Sequence, residues 1–184
     1  GDGDGAMNMP NPCGELAATN SEVSVTTPIN CFGETATVEV TAGGASAIPV
    51  TYELYNALDS TLILSQEDNS EFTGIAEGSY FVAILDGNTC RDTTDQFVFV
   101  EPDQLNANWE LLQDNQCPGD QNSTVQVTYQ GGTNLLSFEA YSASAPGNVE
   151  LPVADQWVGL PCVGGDGTWN FEITDENGCQ VDTV

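Results

Sequence analysis

The chain has no histidine and no lysine, and a single arginine, Arg91, stands against 28 aspartates and glutamates, for a formal charge of −27 over 184 residues. Each absence removes chemistry. Without histidine there is no Ser/His/Asp or Cys/His nucleophile system and no imidazole metal site. Without lysine there is no Schiff base, no phosphate-gripping ammonium and no Lys-to-Asn isopeptide crosslink. A surface almost free of cations repels nucleic acid and anionic membrane. No stretch reaches the roughly 18 apolar residues of a membrane span. The sequence opens at Gly1 without a basic, apolar signal segment, so any targeting peptide is expected to be removed or to lie elsewhere. Self-repulsion of this size is best tolerated where salt or divalent cations screen it, the Debye length being about 8 Å at physiological ionic strength. A saline exterior is the expected setting.

What the chain does have is 40% hydrophobic residues in alternating runs, which argues for a packed protein rather than an acidic disordered one. In TATVEVT, Ala36, Val38 and Val40 share one face; in STVQVTY, Val125, Val127 and Tyr129 do the same. VTYELYN (50–56) matches LSFEAYS (136–142), and GSYFVAILDGNTC (78–90) matches GTWNFEITDENGC (167–179). Turn signals recur in the same order: AGGAS with QGGTN, TGIAEG with VGLPCVGGDG, LDGNT with TDENG. Short strands with period two, punctuated by Gly, Asn and Asp, predict an all-β fold of two tandem Ig-like antiparallel β-sandwich modules. The expected modules are residues 16–102 and 103–184, joined through the short, Pro-bearing VEPDQL as a semi-rigid connection.

The copies differ in length. The first continues past Cys90 with RDTTDQFVFVEP, a last strand that fills its sheet, whereas only QVDTV follows Cys179. Residues 1–15 resemble the close of an earlier module and its joint, NPCGEL standing where VEPDQL stands later. The chain is therefore expected to be an excerpt from, or a processed unit of, a longer tandem array. The alternative is that one subunit's N-terminal segment supplies the strand that the previous subunit lacks.

CFGETATVEVTAGG, TYELYN, FTGIAEGSYFVAILDGNTC and the closing VFVEP together resemble the SprB-type repeats of giant cell-surface adhesins in gliding Bacteroidota. The similarity covers both modules. It departs at CPGD (117–120), which replaces Cys-Phe-Gly, at GNTC in the first module, and in the additional cysteines. The resemblance implies an extracellular, non-enzymatic, repetitive structural or adhesive protein exported to the cell surface.

Six cysteines in an external protein read as disulfides. Cys31 and Cys117 stand at equivalent positions, as do Cys90 and Cys179. The simplest pairing is Cys31 with Cys90 and Cys117 with Cys179, each loop worth roughly 3 to 4 kcal/mol. Strict up-and-down alternation of the strands opposes it, and the rival is Cys31 with Cys179 across the joint. Cys13, in the first joint, and Cys162, in LPCVGGDG, are expected to bond between consecutive units and lock a fibre covalently; the alternatives are free thiols or a local Cys117–Cys162 bond.

Asp2 and Asp4 in GDGDG have the oxygen chemistry of a calcium loop without its full pattern, so calcium is the one cofactor the sequence admits, and weakly. Asp86 with Asn88 and Asp175 with Asn177 are better explained as Asx turns than as ligands. DST, DTT and DTV make Ser60, Thr93 and Thr183 O-glycosylation candidates, and NST at Asn122 is a formal N-glycosylation sequon. Trp169 in place of Tyr80 and Trp157 in place of Phe72 read as core packing rather than a sugar platform. The expected function is a structural unit of an extracellular filament or adhesin stalk, its partners neighbouring copies, adjacent modules and surface glycans, with no nucleic acid, no membrane insertion and no enzymatic activity. The competing class is a calcium- or glycan-binding adhesive module.

Overall fold

The computed structural model describes residues 21–44, 48–116, 121–134, 137–142, 156–160 and 168–183. Every regular element among them is a strand, and every strand pairing is antiparallel. The chain divides into two units. The first takes in the described residues up to Ile29 and Thr35–Val100; the second takes in Asn30–Glu34 and the described residues from Glu101 onward. The short segment Asn30–Glu34, which the sequence reading places inside the first module, thus belongs with the second unit.

In chain order the first unit contains β1 (Glu22–Thr27), β2 (Ala36–Thr41), β3 (Thr51–Asn56), β4 (Leu62–Glu67), β5 (Glu71–Ile75), β6 (Gly78–Leu85), β7 (Arg91–Thr93) and β8 (Phe97–Phe99). One sheet runs β1-β2-β5, the other β4-β3-β6-β7, with β8 also on β6. Successive side chains of a strand face opposite ways, so Ala36, Val38 and Val40 of β2 and Tyr80, Val82 and Ile84 of β6 all enter the core. Phe72, Val38, Val82 and Ile84 are wholly buried, each stabilising the unit by about 1.5 to 3 kcal/mol.

The second unit contains β9 (Asn106–Gln113), β10 (Ser123–Gln130), β11 (Ser137–Ser142), β12 (Gln156–Leu160), β13 (Trp169–Thr174) and β14 (Gln180–Thr183). Its sheets run β12-β10-β9 and β11-β13-β14. Register confirms the repeat: Val38 faces Phe72 as Val125 faces Trp157, and Tyr52 faces Ile84 as Phe138 faces Ile173. Val125, Val127, Trp169, Phe171 and Ile173 fill the core.

Tyr129 keeps the face of Val125 and Val127, its ring packing on Phe138 at 5.3 Å, but lies at the margin of the core and is exposed. One expectation needs correcting. The single last strand expected in RDTTDQFVFVEP is two short ones, β7 and β8. The buried Thr94 separates them, its Oγ1 accepting from Val82 N at 3.0 Å while its own N–H donates to Val82 O at 2.9 Å. The hydroxyl replaces a ladder carbonyl, and the chain re-joins β6 at Phe97.

Candidate functional site

The late turn after β13 is built by one aspartate. Asp175 is buried, and its Oδ1 accepts from the backbone N–H groups of Asn177 and Cys179, both at 2.9 Å. Its Oδ2 accepts from Thr133 N at 2.8 Å, tying the turn to the Gly-Gly loop before β11. The first unit repeats the device, Asp86 Oδ1 accepting from Asn88 N at 2.9 Å and Cys90 N at 3.0 Å. These are Asx turns with the carboxylate committed to backbone donors, in line with the turn reading rather than the ligand one. Among the described residues no group of three or more acidic, cysteine or histidine side chains could hold a metal ion.

Gly131 and Gly132 bring the joint against this turn. Both have positive φ, 76° and 72°, and a Cβ on Gly131 would meet Gln104 O at 2.1 Å. Gly132 N donates to Asp103 O at 2.9 Å. Only glycine permits that approach.

The Asn30–Glu34 segment lies at the same end of the second unit. Glu34 Oε2 accepts from Asn30 N and Cys31 N, at 3.1 and 2.9 Å, and shapes a tight loop in which Gly33 has φ of 83°. Gly33 N donates to Glu101 Oε1, and Asn177 Nδ2 donates to Asn30 O at 3.1 Å. Cys31 is disulfide-bonded to Cys179, with a Cα separation of 5.6 Å, across 148 residues of sequence. The Cys31–Cys90 and Cys117–Cys179 pairing is therefore incorrect, and the rival bond across the joint is the one present. The reason is that Cys31, although it sits in the β1–β2 connection, is part of the second unit. Cys90 is disulfide-bonded as well, to a partner outside the described residues.

A second feature of the same unit is a cleft of about 760 Å³ between its sheets. Ala107, Trp109 and Leu111 of β9, Val125 of β10, and Trp169 and Phe171 of β13 line it, with Asp114 also on its wall. Trp109 stacks on Phe171 at 5.2 Å. Sequence reasoning places Trp169 in the core, where it is 92% buried, but gives no sign of this opening.

Of the other predicted positions, Ser60 is exposed in the β3–β4 hairpin and Thr93 is exposed on β7. Thr93 faces Ala83, whereas Thr183 faces Phe171, the counterpart of Val82, so the register match for Thr183 is Thr94. Asn122 is exposed. Cys13, Cys117, Cys162, Asp2 and Asp4 lie outside the described residues.

No protein-family profile matches the chain, and no curated protein matches it significantly. Among solved structures it is similar to a 282-residue C-terminal fragment of intimin in complex with the intimin-binding domain of its translocated receptor, with 11% identity and a TM-score of 0.46 over 88% of this chain and 61% of that one. It is also similar to three N-terminal domains of the bacteriophage RB49 outer capsid protein Hoc, with 14% identity, a TM-score of 0.43, and 90% and 57% of the two chains covered. The fibronectin(III)-like modules of Clostridium thermocellum CbhA give 14% identity and a TM-score of 0.38, covering 88% and 90%. The chain spans about three fifths of the length of the first two. No helix of the described residues is long and apolar enough to cross a membrane.

Proposed function

We propose that this chain is a non-enzymatic structural unit of an extracellular surface filament or adhesin stalk, of the SprB-type repeat kind that its motifs resemble. The observation that carries the reading is the Cys31–Cys179 bond. It joins a loop in the first repeat's sequence to the last turn of the second, so it closes a covalent loop around nearly the whole chain. Two copies of one core, a single cation in the whole sequence, and turns whose carboxylates are spent on backbone donors support the same reading.

The finer element is a covalent link between units through Cys13 and Cys162. Because Cys90 is already oxidised, that link leaves Cys117 as its partner. A non-reducing Glu-C or Asp-N peptide map reads this directly: peptides linking Cys13 to Cys162 and Cys90 to Cys117 are expected, and Cys90 on Cys13 or Cys162 removes the stitched link. The function itself is tested by immunogold labelling of intact producing cells. Label along fibres outside the cell is expected, and label confined to the interior overturns the proposal.

A further inference from the structure

β4 lies at the rim of the first unit, at the open end of the strand order β4-β3-β6-β7. Its register with β3 is regular from Leu64 to Glu67, where Leu54 faces Leu64, Glu53 faces Ser65, Tyr52 faces Gln66 and Thr51 faces Glu67. The register shifts only between Leu54 and Tyr55, whose partners are Leu64 and Leu62. Just past the strand, Asp68 N donates to Val50 O at 2.8 Å, so Asp68 turns its backbone toward β3. Hydrogen-bonding direction alternates along an antiparallel strand, so Gln66 and Leu64 share that side, while Ser65 and Glu67 turn their N–H and C=O groups outward. Among the described residues no strand pairs with that edge.

An open edge of this kind is a template for another strand, and soluble proteins usually guard it with charge or proline along its length. β4 is not guarded in that way. Residues 60–66 carry no charge in a chain of −27, and Leu62, Ile63 and Leu64 are 51%, 51% and 43% exposed. Leu64 stands opposite Leu54 of the core, so an apolar residue laid beside it prolongs the buried face of the sheet. The outward backbone groups supply the ladder, and the leucines and isoleucine the apolar area, that strand addition uses.

The charges at the two ends of this stretch say what kind of strand fits. Asp59 stands before it, Glu67 and Asp68 close it, and all three are exposed. A strand of the same length meets carboxylates at both of its ends and none in its middle. A second copy is a poor occupant, because it brings the same carboxylates and a further charge of −27. The chain has no cation but Arg91 to set against them, so a segment with basic ends comes from a different protein.

We propose that β4 is a docking edge for an extended segment of another protein, apolar at its centre and bearing lysine or arginine at both ends, which adds antiparallel to residues 64–67 as a further strand. Docking at β4 is independent of whether copies join into a filament. The probe is a fluorescent nonapeptide with a Val-Thr-Val-Thr-Val centre and two lysines at each end. It is titrated with the full 184-residue chain at physiological ionic strength and read by anisotropy. Binding to the wild type is expected. Ser65→Pro removes an outward N–H while sparing the bonds to β3, so binding is expected to fall about tenfold or more, with the urea midpoint unchanged. The same peptide N-methylated at its five central nitrogens, which blocks the ladder without altering charge, is expected to lose binding to the wild type. It decides the question even if the proline variant folds poorly. With glutamates in place of the lysines no binding is expected. Equal binding to wild type and S65P, or binding indifferent to N-methylation, would mean that the acidic surface attracts the peptide without strand addition, and overturns the proposal. No binding of the lysine peptide, or equal binding of the glutamate peptide, overturns it too. Self-association of the chain in sedimentation velocity that S65P abolishes would make a second copy the occupant and overturn the basic partner.

Discussion

At the scale of single residues, the two late turns are one design with one substitution that matters. Thr89 and Gly178 hold the same place, and both have positive φ, 63° and 87°. Glycine adopts this region freely, whereas a β-branched side chain is strained there by roughly 1 to 3 kcal/mol. Thr89→Gly is expected to stabilise the first unit by about 1 kcal/mol in urea denaturation; a loss of stability would show that the threonine side chain contributes more than its backbone costs. The tyrosines of the first unit set its alkaline limit. Burial raises the Tyr80 hydroxyl above the ordinary tyrosine value, with the charge of Glu77 adding to it, and burial followed by Asp68 does the same for Tyr52. A phenol whose folded pKa is raised gives stability that is complete below the unfolded value, near pH 10, and is lost as pH rises through the folded value. Unfolding of the first unit is therefore expected to become easier only above about pH 10, and Tyr80→Phe to flatten that decline. An unchanged slope in Tyr80→Phe would place the alkaline sensitivity elsewhere.

At the scale of elements, legibility followed burial. β2, β6, β10 and β13 each bury one face, so their alternation could be read directly. β4 could not, because Leu62, Ile63 and Leu64 are all roughly half exposed on an edge strand, and three consecutive apolar residues carry no period. The division of β7 from β8 was hidden by Thr94, whose hydroxyl stands in for a backbone partner. The disulfide needed a non-local fact, that Asn30–Glu34 clusters with a unit whose other residues begin at Glu101. The cleft was illegible for a similar reason, since β9, β10 and β13, distant in sequence, line it together. The part that β8 plays in the first unit can be tested directly. Phe97→Ala is expected to cost about 2 to 3 kcal/mol, below the fully buried range because the ring is only partly covered. A near-neutral result in chemical denaturation would mean that β8 adds little to the core.

At the scale of the whole molecule, charge and covalent topology act together. A net charge of −27 opposes compaction, so the unfolding midpoint is expected to rise as sodium chloride is added and the repulsion is screened. A midpoint independent of salt would mean that the charges are spaced too widely to matter. The disulfide also sets the path of any tension applied to the chain. When the chain is pulled from its two ends, tension passes through the residues up to Cys31, crosses the Cys31–Cys179 bond, and leaves through Gln180 onward. The 148-residue span between the cysteines is out of the load path whichever partner Cys90 has. Single-molecule force spectroscopy on the oxidised and reduced chain tests the structural role most directly. The hidden span, about 500 Å when extended, is expected to stay locked in the oxidised chain and to be released once a reductant is added. Release of that length from the oxidised chain would contradict the account of a protein built to bear tension.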